Sequence, residues 1–196
     1  MVDSVDLATL YRILDVWLQA CDDRSLFLEE SGLPYEVVPV DTSKGEQHEL
    51  AFRKINPNGK VPAIVDTNGP GGTEVRVFDS TAILLYLAEK SQMFLGTPQD
   101  RPELLSWLFF ISSGVGPFSG QAVHFQHAAP ERIEYAVNRY RREIERHCRV
   151  LERHLENRTY IVGADYTIAD ISAWGLVVPC VASASDRGAS NSFPVS

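Results

Sequence analysis

The chain has 196 residues, 44% of them hydrophobic and 22% charged, which suffices for one large domain or two small ones around a core that needs no staples. Its formal net charge of −8 argues against nucleic acid as the main partner, because phosphate binding needs a concentrated basic face. Cys21, Cys148 and Cys180 show no paired spacing, which argues against a disulfide framework or a zinc knuckle and fits a reducing compartment.

The acidic start Met1-Val2-Asp3-Ser4-Val5-Asp6 lacks the basic and apolar stretches of a signal peptide. No apolar run approaches the roughly 20 residues of a membrane span, so a cytoplasmic location is expected. The first half then alternates strand and helix signals, the pattern of an α/β layer with some parallel pairing. Leu26 to Gly32 reads as a helix stopped by a glycine, and Tyr35 to Val40 as a strand with a late proline, so a βαβ unit is predicted. Val61 to Val65 and Val75 to Phe78 are β-rich runs joined by Thr67-Asn68-Gly69-Pro70-Gly71-Gly72. So many turn formers predict a hairpin. Thr81 to Lys90 makes an apolar helix, and residues 92 to 101 lose periodicity and carry Gly, Pro and Asp. The boundary between a domain at 1–91 and another at 102–196 is placed there.

From Pro102 onward only helices are predicted. Leu104 to Ser112 carries an aromatic patch of Trp107, Phe109 and Phe110. A longer helix opens at Pro130, a residue suited to the first helical position, and places Ile133, Val137, Tyr140, Ile144, Cys148, Leu151 and Leu155 on one stripe. Over about 28 residues it would be about 42 Å long. The arginines between 138 and 158 alternate with Glu, as on a solvated face. Thr167-Ile168-Ala169-Asp170 is a capping box, with Tyr166 and Ile171 placed for a hydrophobic staple.

The chemistry gathers at the hairpin and the helix after it. Val61-Pro62 is an X-Pro bond entering a strand. In the cis form it would turn the Val61 N–H and C=O outward, free to pair with an extended ligand backbone, although such bonds are more often trans. Asp79 and Ser80 open the next helix, where free N–H groups attract a carboxylate and Asp79 can hold an ammonium group. Asp-Ser is also an ordinary N-cap. In this order, inside a strand, turn, strand, helix frame, the pieces predict a site for a short acidic peptide. Trp107, Phe110, Phe118, His124 and Phe125 either line a pocket for a second, apolar substrate between the domains or form helical core. His124 with His127, and His147 with His154, lack a third ligand at a workable spacing, so no metal is expected.

Residues 28 to 176 resemble the glutathione transferase superfamily, and within it the bacterial glutathione-dependent disulfide reductases and the fungal nitrogen-regulator-like transferases. The matching stretches are Leu28 to Tyr35, Lys44-Gly45-Glu46-Gln47, Asn56 to Asp66, Phe78 to Lys90, Trp107 to Phe110, Gly120 to Phe125, and Tyr166 to Asp170. The resemblance implies a thioredoxin-like N-terminal domain followed by an all-α C-terminal domain, glutathione as co-substrate, and a homodimer. It implies that Val61, Asp79 and Ser80 contact glutathione, that Pro62 is cis and that Gln47 reaches the glycyl end. Asp79 replaces the more usual Glu on a shorter arm.

The family places a Thr-Pro-Asn-Gly or similar segment against the sulfur. Counting back without gaps puts those positions on Leu18, Gln19, Ala20 and Cys21. Lowering a thiol pKa by two units takes about 2.7 kcal/mol of preferential thiolate stabilisation, which hydrogen bonds supply and a Leu does not. Cys21, Ser25 and Tyr11 are the substitutes at hand. Cys21 could form a mixed disulfide with glutathione, against the opposing charge of Asp22 and Asp23, or be an inert small side chain. Ser25 also reads as a helix residue and Tyr11 as core or strand. Beyond Trp174 a Ser, Ala and Gly rich tail replaces the helices of the family, so the C-terminal domain is expected to be truncated and less stable. The expected function is attack by glutathione thiolate on a disulfide or a soft electrophile. The alternative is a non-catalytic binding or regulatory protein of the same fold.

Overall fold

The computed structural model describes residues 11–15 and 23–175. Four strands form one sheet in the order β2, β1, β3, β4, where β1 is Tyr11–Asp15, β2 Tyr35–Pro39, β3 Ala63–Asp66 and β4 Val75–Phe78. β1 and β2 run parallel, and helix α1, Asp23–Ser31, lies between them in the chain. β3 is antiparallel to both β1 and β4. The βαβ unit and the hairpin are therefore both present, in a thioredoxin-like arrangement. All four β3 residues are buried, because side chains alternate between two covered faces. Ile64 enters the main core with Phe27 and Leu28 of α1 and with Ile83, Leu84 and Leu87 of α3, Ser80–Ser91. Ala63 and Val65 face a smaller cluster with Leu14, Val40 and Phe52, the last from the single turn α2, Leu50–Arg53.

The helical half begins with α4, Arg101–Phe110, and runs on through a π segment at Ile111–Val115, α5 at Gly116–Val123 and a second π segment at His124–Ala128. The long amphipathic helix α6 spans Glu134–Leu155 and packs on this run. A Cβ on Gly114 would lie 2.6 Å from His147 Nε2, so only glycine allows this approach. The predicted start at Pro130 needs correction. α6 has 22 residues, about 33 Å, and Ile133 is 41% exposed instead of joining the buried stripe. Ala129 is extended, as the residue before a proline must be, and the chain stays extended at Ile133. Helix formation is delayed by that constraint.

The last described helical stretch, 168–175, opens as the capping box predicts. Thr167 N–H donates to Asp170 Oδ2 at 2.9 Å and Ala169 N–H to Thr167 Oγ1 at 3.3 Å, while Asp170 Oδ1 also accepts from Ile161 N–H at 2.8 Å. This helix is tied to the segment after α3, since Ile168 N–H donates to Phe94 O at 2.9 Å and the Phe94 ring meets Phe27 and Tyr166 edge-on. The two halves consequently share one buried cluster. No helix among the described residues is long and apolar enough to cross a membrane.

Asp66, with no exposed surface, anchors the sheet to α3. Its carboxylate accepts from Lys90 Nζ at 2.6 Å, Tyr86 Oη at 2.6 Å and Asn68 N–H at 2.8 Å. Burial pushes the Asp66 carboxyl up, but these three donors outweigh it and leave it below the ordinary carboxylate value. Lys90→Met removes the ammonium and leaves a buried carboxylate short of a partner, at a cost of about 3 kcal/mol, so the melting temperature should fall by about 6 °C or more. A folded value below the unfolded one means that the contribution is complete above the unfolded carboxylate value and is lost as pH falls through the folded one. The gap between wild type and variant should thus be flat between about pH 7 and 5 and shrink below about pH 4. Equal melts at neutral pH would show that solvent replaces the ammonium.

Candidate functional site

The antiparallel register of β3 and β4 pairs Ala63 with Phe78. Continued outward by one residue, it sets Pro62 opposite Asp79 at one end of the hairpin. The Val61–Pro62 peptide bond is cis. Among the described residues no backbone hydrogen bond reaches Val61, so its N–H and C=O are open to an extended ligand backbone. Register alone thus brings Val61, Pro62, Asp79 and Ser80 together.

Asp79 is the N-cap of α3, and its Oδ1 accepts from Thr81 N–H at 3.1 Å and Ala82 N–H at 3.3 Å. Its backbone sits at φ 75°, ψ 129°, a region that non-glycine residues avoid and that gathers at ligand-holding positions. Asp79 is exposed, and among the described residues its Oδ2 makes no hydrogen bond or ion pair. Ser80, the first residue of the helix, is also without a partner for its hydroxyl there. One carboxylate oxygen therefore holds the helix, and among the described residues Ser80 N–H and its hydroxyl are the donors of the first turn left without a partner. That combination can bind the ammonium and the carboxylate of one α-amino acid end.

A second rim comes from the turns before β3. Asn56 is almost fully buried, accepts from Asn58 N–H at 2.9 Å and donates through Nδ2 to Lys60 O at 2.5 Å. It shapes the loop that delivers Val61. The turn Glu46–His48 packs against this loop, since a Cβ on Gly59 would stand 3.3 Å from both Gln47 O and His48 Nδ1. Gln47 is therefore near the site, but its side-chain Nε2 donates to Thr42 O at 3.3 Å and its Oε1 is buried without a partner among the described residues. Asn56 is the residue sequence reasoning gave no role. Its signal was an Asx-type Asn placed just before Pro57.

Trp107, Phe110 and Phe118 lie in the seam between the α4–α5 run and α6. Trp107 meets His154 at 4.2 Å, Phe110 and Phe118 meet His147 at 5.2 and 5.5 Å, and Phe125 stacks on Tyr140 at 5.3 Å. His147 Nδ1–H donates to Glu143 O at 2.6 Å, which leaves Nε2 to accept from Arg146 at 3.1 Å. These contacts give the aromatic residues a packing role, whereas His124 is exposed beside Phe125. Tyr11 stands at the opposite end of the sheet from Pro62, paired with Asp66. Burial and then the Asp66 charge push its hydroxyl up to about 12. It is core, not a thiolate-stabilising donor. Ser25 lies in α1, half-buried. Leu18 to Cys21, and Cys180, lie outside the described residues.

The chain matches the family model described as glutathione S-transferase, N-terminal domain, over residues 25–90 and the model for the C-terminal domain over residues 134–188. It is 47% identical over 152 residues to the disulfide-bond oxidoreductase YfcG of Escherichia coli (strain K12), covering 76% of this chain and 71% of that protein. Against the disulfide-bond oxidoreductase YghU of the same organism it is 42% identical, covering 76% of this chain and 51% of that one, so the chain spans about half the length of that relative. A glutathione transferase family member from Pseudomonas fluorescens pf-5, solved with two glutathione bound, superposes with a TM-score of 0.81 at 35% identity, over 87% of this chain and 77% of that one. A glutathione transferase from Pseudomonas putida, with one glutathione disulfide bound per subunit, gives 0.80 at 36%, over 87% and 75%.

The doubled role of Asp79 orders its variants by stability. Asp79→Ala loses the cap and keeps the positive φ, costing about 1 kcal/mol or more, whereas Asp79→Gly also loses the carboxylate but relieves the backbone and costs only a few tenths. Thermal melts should rank wild type, Gly, Ala. Ala at or above Gly would mean that the backbone at position 79 is unstrained.

Proposed function

The chain belongs to the glutathione S-transferase family, and we propose that it binds glutathione at the Val61, Pro62, Asp79 and Ser80 end of the hairpin and uses its thiolate against a disulfide or a soft electrophile. The observation that carries this reading is the β3–β4 register, which puts Val61, whose main chain makes no hydrogen bond among the described residues, at the same end of the hairpin as Asp79 and the start of α3. A γ-linked tripeptide has matching parts, an extended backbone and an α-amino acid end that bears both charges. Gln47 lies on the rim where the glycyl end would fall. The glutathione-bound Pseudomonas structures support the ligand, and the relatives named disulfide-bond oxidoreductases support the reaction.

With a disulfide, the glutathione sulfur forms a bond to one sulfur while the other leaves as a thiolate. A second glutathione then attacks the mixed disulfide, releasing oxidised glutathione and the second thiol. With a soft electrophile the same sulfur forms a thioether. The protein supplies position and electrostatics. Cys21 is the candidate in this chain for direct sulfur chemistry, and Trp107, Phe110, Phe118 and His124 are the residues proposed for a second-substrate pocket. The working unit is proposed as a cytoplasmic homodimer, with residues 92–101 linking the two domains of each subunit. The second reading, a glutathione-holding protein without turnover, rests on Leu18, Gln19, Ala20 and Cys21 standing where the family resemblance implies a hydroxyl and an amide.

Titration calorimetry with glutathione tests the site. Asp79→Ala and Ser80→Ala should each weaken binding about tenfold or more, the equivalent of losing one hydrogen bond to a charged group. Unchanged affinity in both variants overturns the assignment. Reduction of a small soluble disulfide by glutathione separates the two readings, because bound glutathione with no rate above the uncatalysed exchange would leave only the holding role.

A further inference from the structure

The chain holds two Asn-Gly pairs at the hairpin, Asn58-Gly59 and Asn68-Gly69, and the structure treats them in opposite ways. Asn-Gly is the dipeptide most open to spontaneous deamidation, because no Cβ on the second residue hinders its nitrogen. Asn68-Gly69 is held throughout. Asn68 N–H donates to Asp66 Oδ1 at 2.8 Å and Asn68 O accepts from Lys90 Nζ. Gly69 N–H donates to Thr73 O at 2.8 Å, and the Gly69 α-carbon is wedged so that a Cβ would stand 2.8 Å from Thr73 O. Asn58 is different. It is exposed, and among the described residues its side-chain amide has no hydrogen-bond partner. One bond, from Gly59 N–H to Asn56 O at 3.0 Å, restrains the attacking nitrogen.

We propose that Asn58 is a spontaneous deamidation site that ages the glutathione-binding loop. Gly59 N attacks Asn58 Cγ, the N–Cγ bond forms and the Cγ–Nδ2 bond breaks. The amide proton of Gly59 leaves with Nδ2 as ammonia, and a succinimide remains. Water then opens the ring at Cγ to give an ordinary aspartyl residue, or at the main-chain carbonyl to give an isoaspartyl link with one extra carbon in the backbone. Either product adds a carboxylate to the loop that ends at Val61, and the isoaspartyl form also lengthens it. The modification stands on the loop geometry alone. Its effect on affinity rests on the proposed glutathione site, where a new negative charge next to a ligand with two carboxylates weakens binding.

The test is incubation of the whole protein at 37 °C and mildly alkaline pH, followed by peptide mass analysis. The Asn58 peptide should gain about one dalton, with isoaspartate detected, while the Asn68 peptide stays intact. Asn58→Ser should abolish it and keep full glutathione affinity after the same incubation. Conversion of Asn68 at an equal or higher rate, or an unmodified Asn58 after an unfolded peptide of the same sequence has fully converted, overturns the proposal. Normal conversion at Asn58 with no glutathione binding even in fresh protein would instead sink the ligand assignment and leave the modification standing.

Discussion

The buried carboxylate of Asp66 constrains the whole N-terminal half. A carboxylate without exposed surface is tolerable only when every part of its charge is met. The donors come from two places, the turn after β3 through Asn68 N–H and helix α3 through Tyr86 and Lys90. Satisfying Asp66 therefore locks the far end of β3 onto the second half of α3. The near end is fixed by a different device, the Asp79 cap that joins β4 to the first turn of α3. Strand, turn, strand and helix close into one rigid frame, and the Val61 main chain and the Asp79 carboxylate are held at a set distance before any ligand arrives. Binding to such a frame loses little conformational entropy in the protein.

Much of this was legible because the signals are local. Turn formers at 67–72 between two β-rich runs specify a hairpin, and Thr167 to Asp170 specifies a helix start, with hydrogen bonds that follow from the residue types. The Asp79-Ser80 pair was legible as a cap, and it was also read as an ion site. The two readings are compatible, because a carboxylate has two oxygens and only one is used by the helix. What sequence could not yield was the Asp66 to Lys90 link, which spans a separation along the chain that no local pattern encodes. Asn56 was hidden for another reason. Its side chain acts on the main chain of its own loop, so its role appears only once the turn is built.

The helical half was harder to read. The spacing from Ile133 to Leu155 gave one apolar stripe, and the pattern extended it back to Pro130, although a proline also forces its predecessor to be extended. In this chain that constraint delays the helix to Glu134. The aromatic residues proposed for a pocket posed the opposite problem. Trp107, Phe110 and Phe118 make the contacts of a helix–helix seam with His147 and His154, and composition cannot separate a ring that packs from one that waits for a substrate. The two π segments, Ile111–Val115 and His124–Ala128, were invisible to a periodicity of 3.6. They widen the helix at the places where α6 crosses it, and Gly114 lies in the first of them.

The division of labour follows from these constraints. In the proposed function, the frame that fixes Val61 and Asp79 holds a peptide ligand by its backbone and by one doubly charged end, and the sulfur falls to another element. β1 runs toward the Pro62 end of β3, with Leu14 paired to Ala63, so its last residues lie at the same end of the sheet as Pro62 and Asp79. The frame stapled by Asp66 and the end of β1 thus meet at one end of the sheet while belonging to separate stretches of chain. Under the proposed function, binding and reactivity would be separable for that reason.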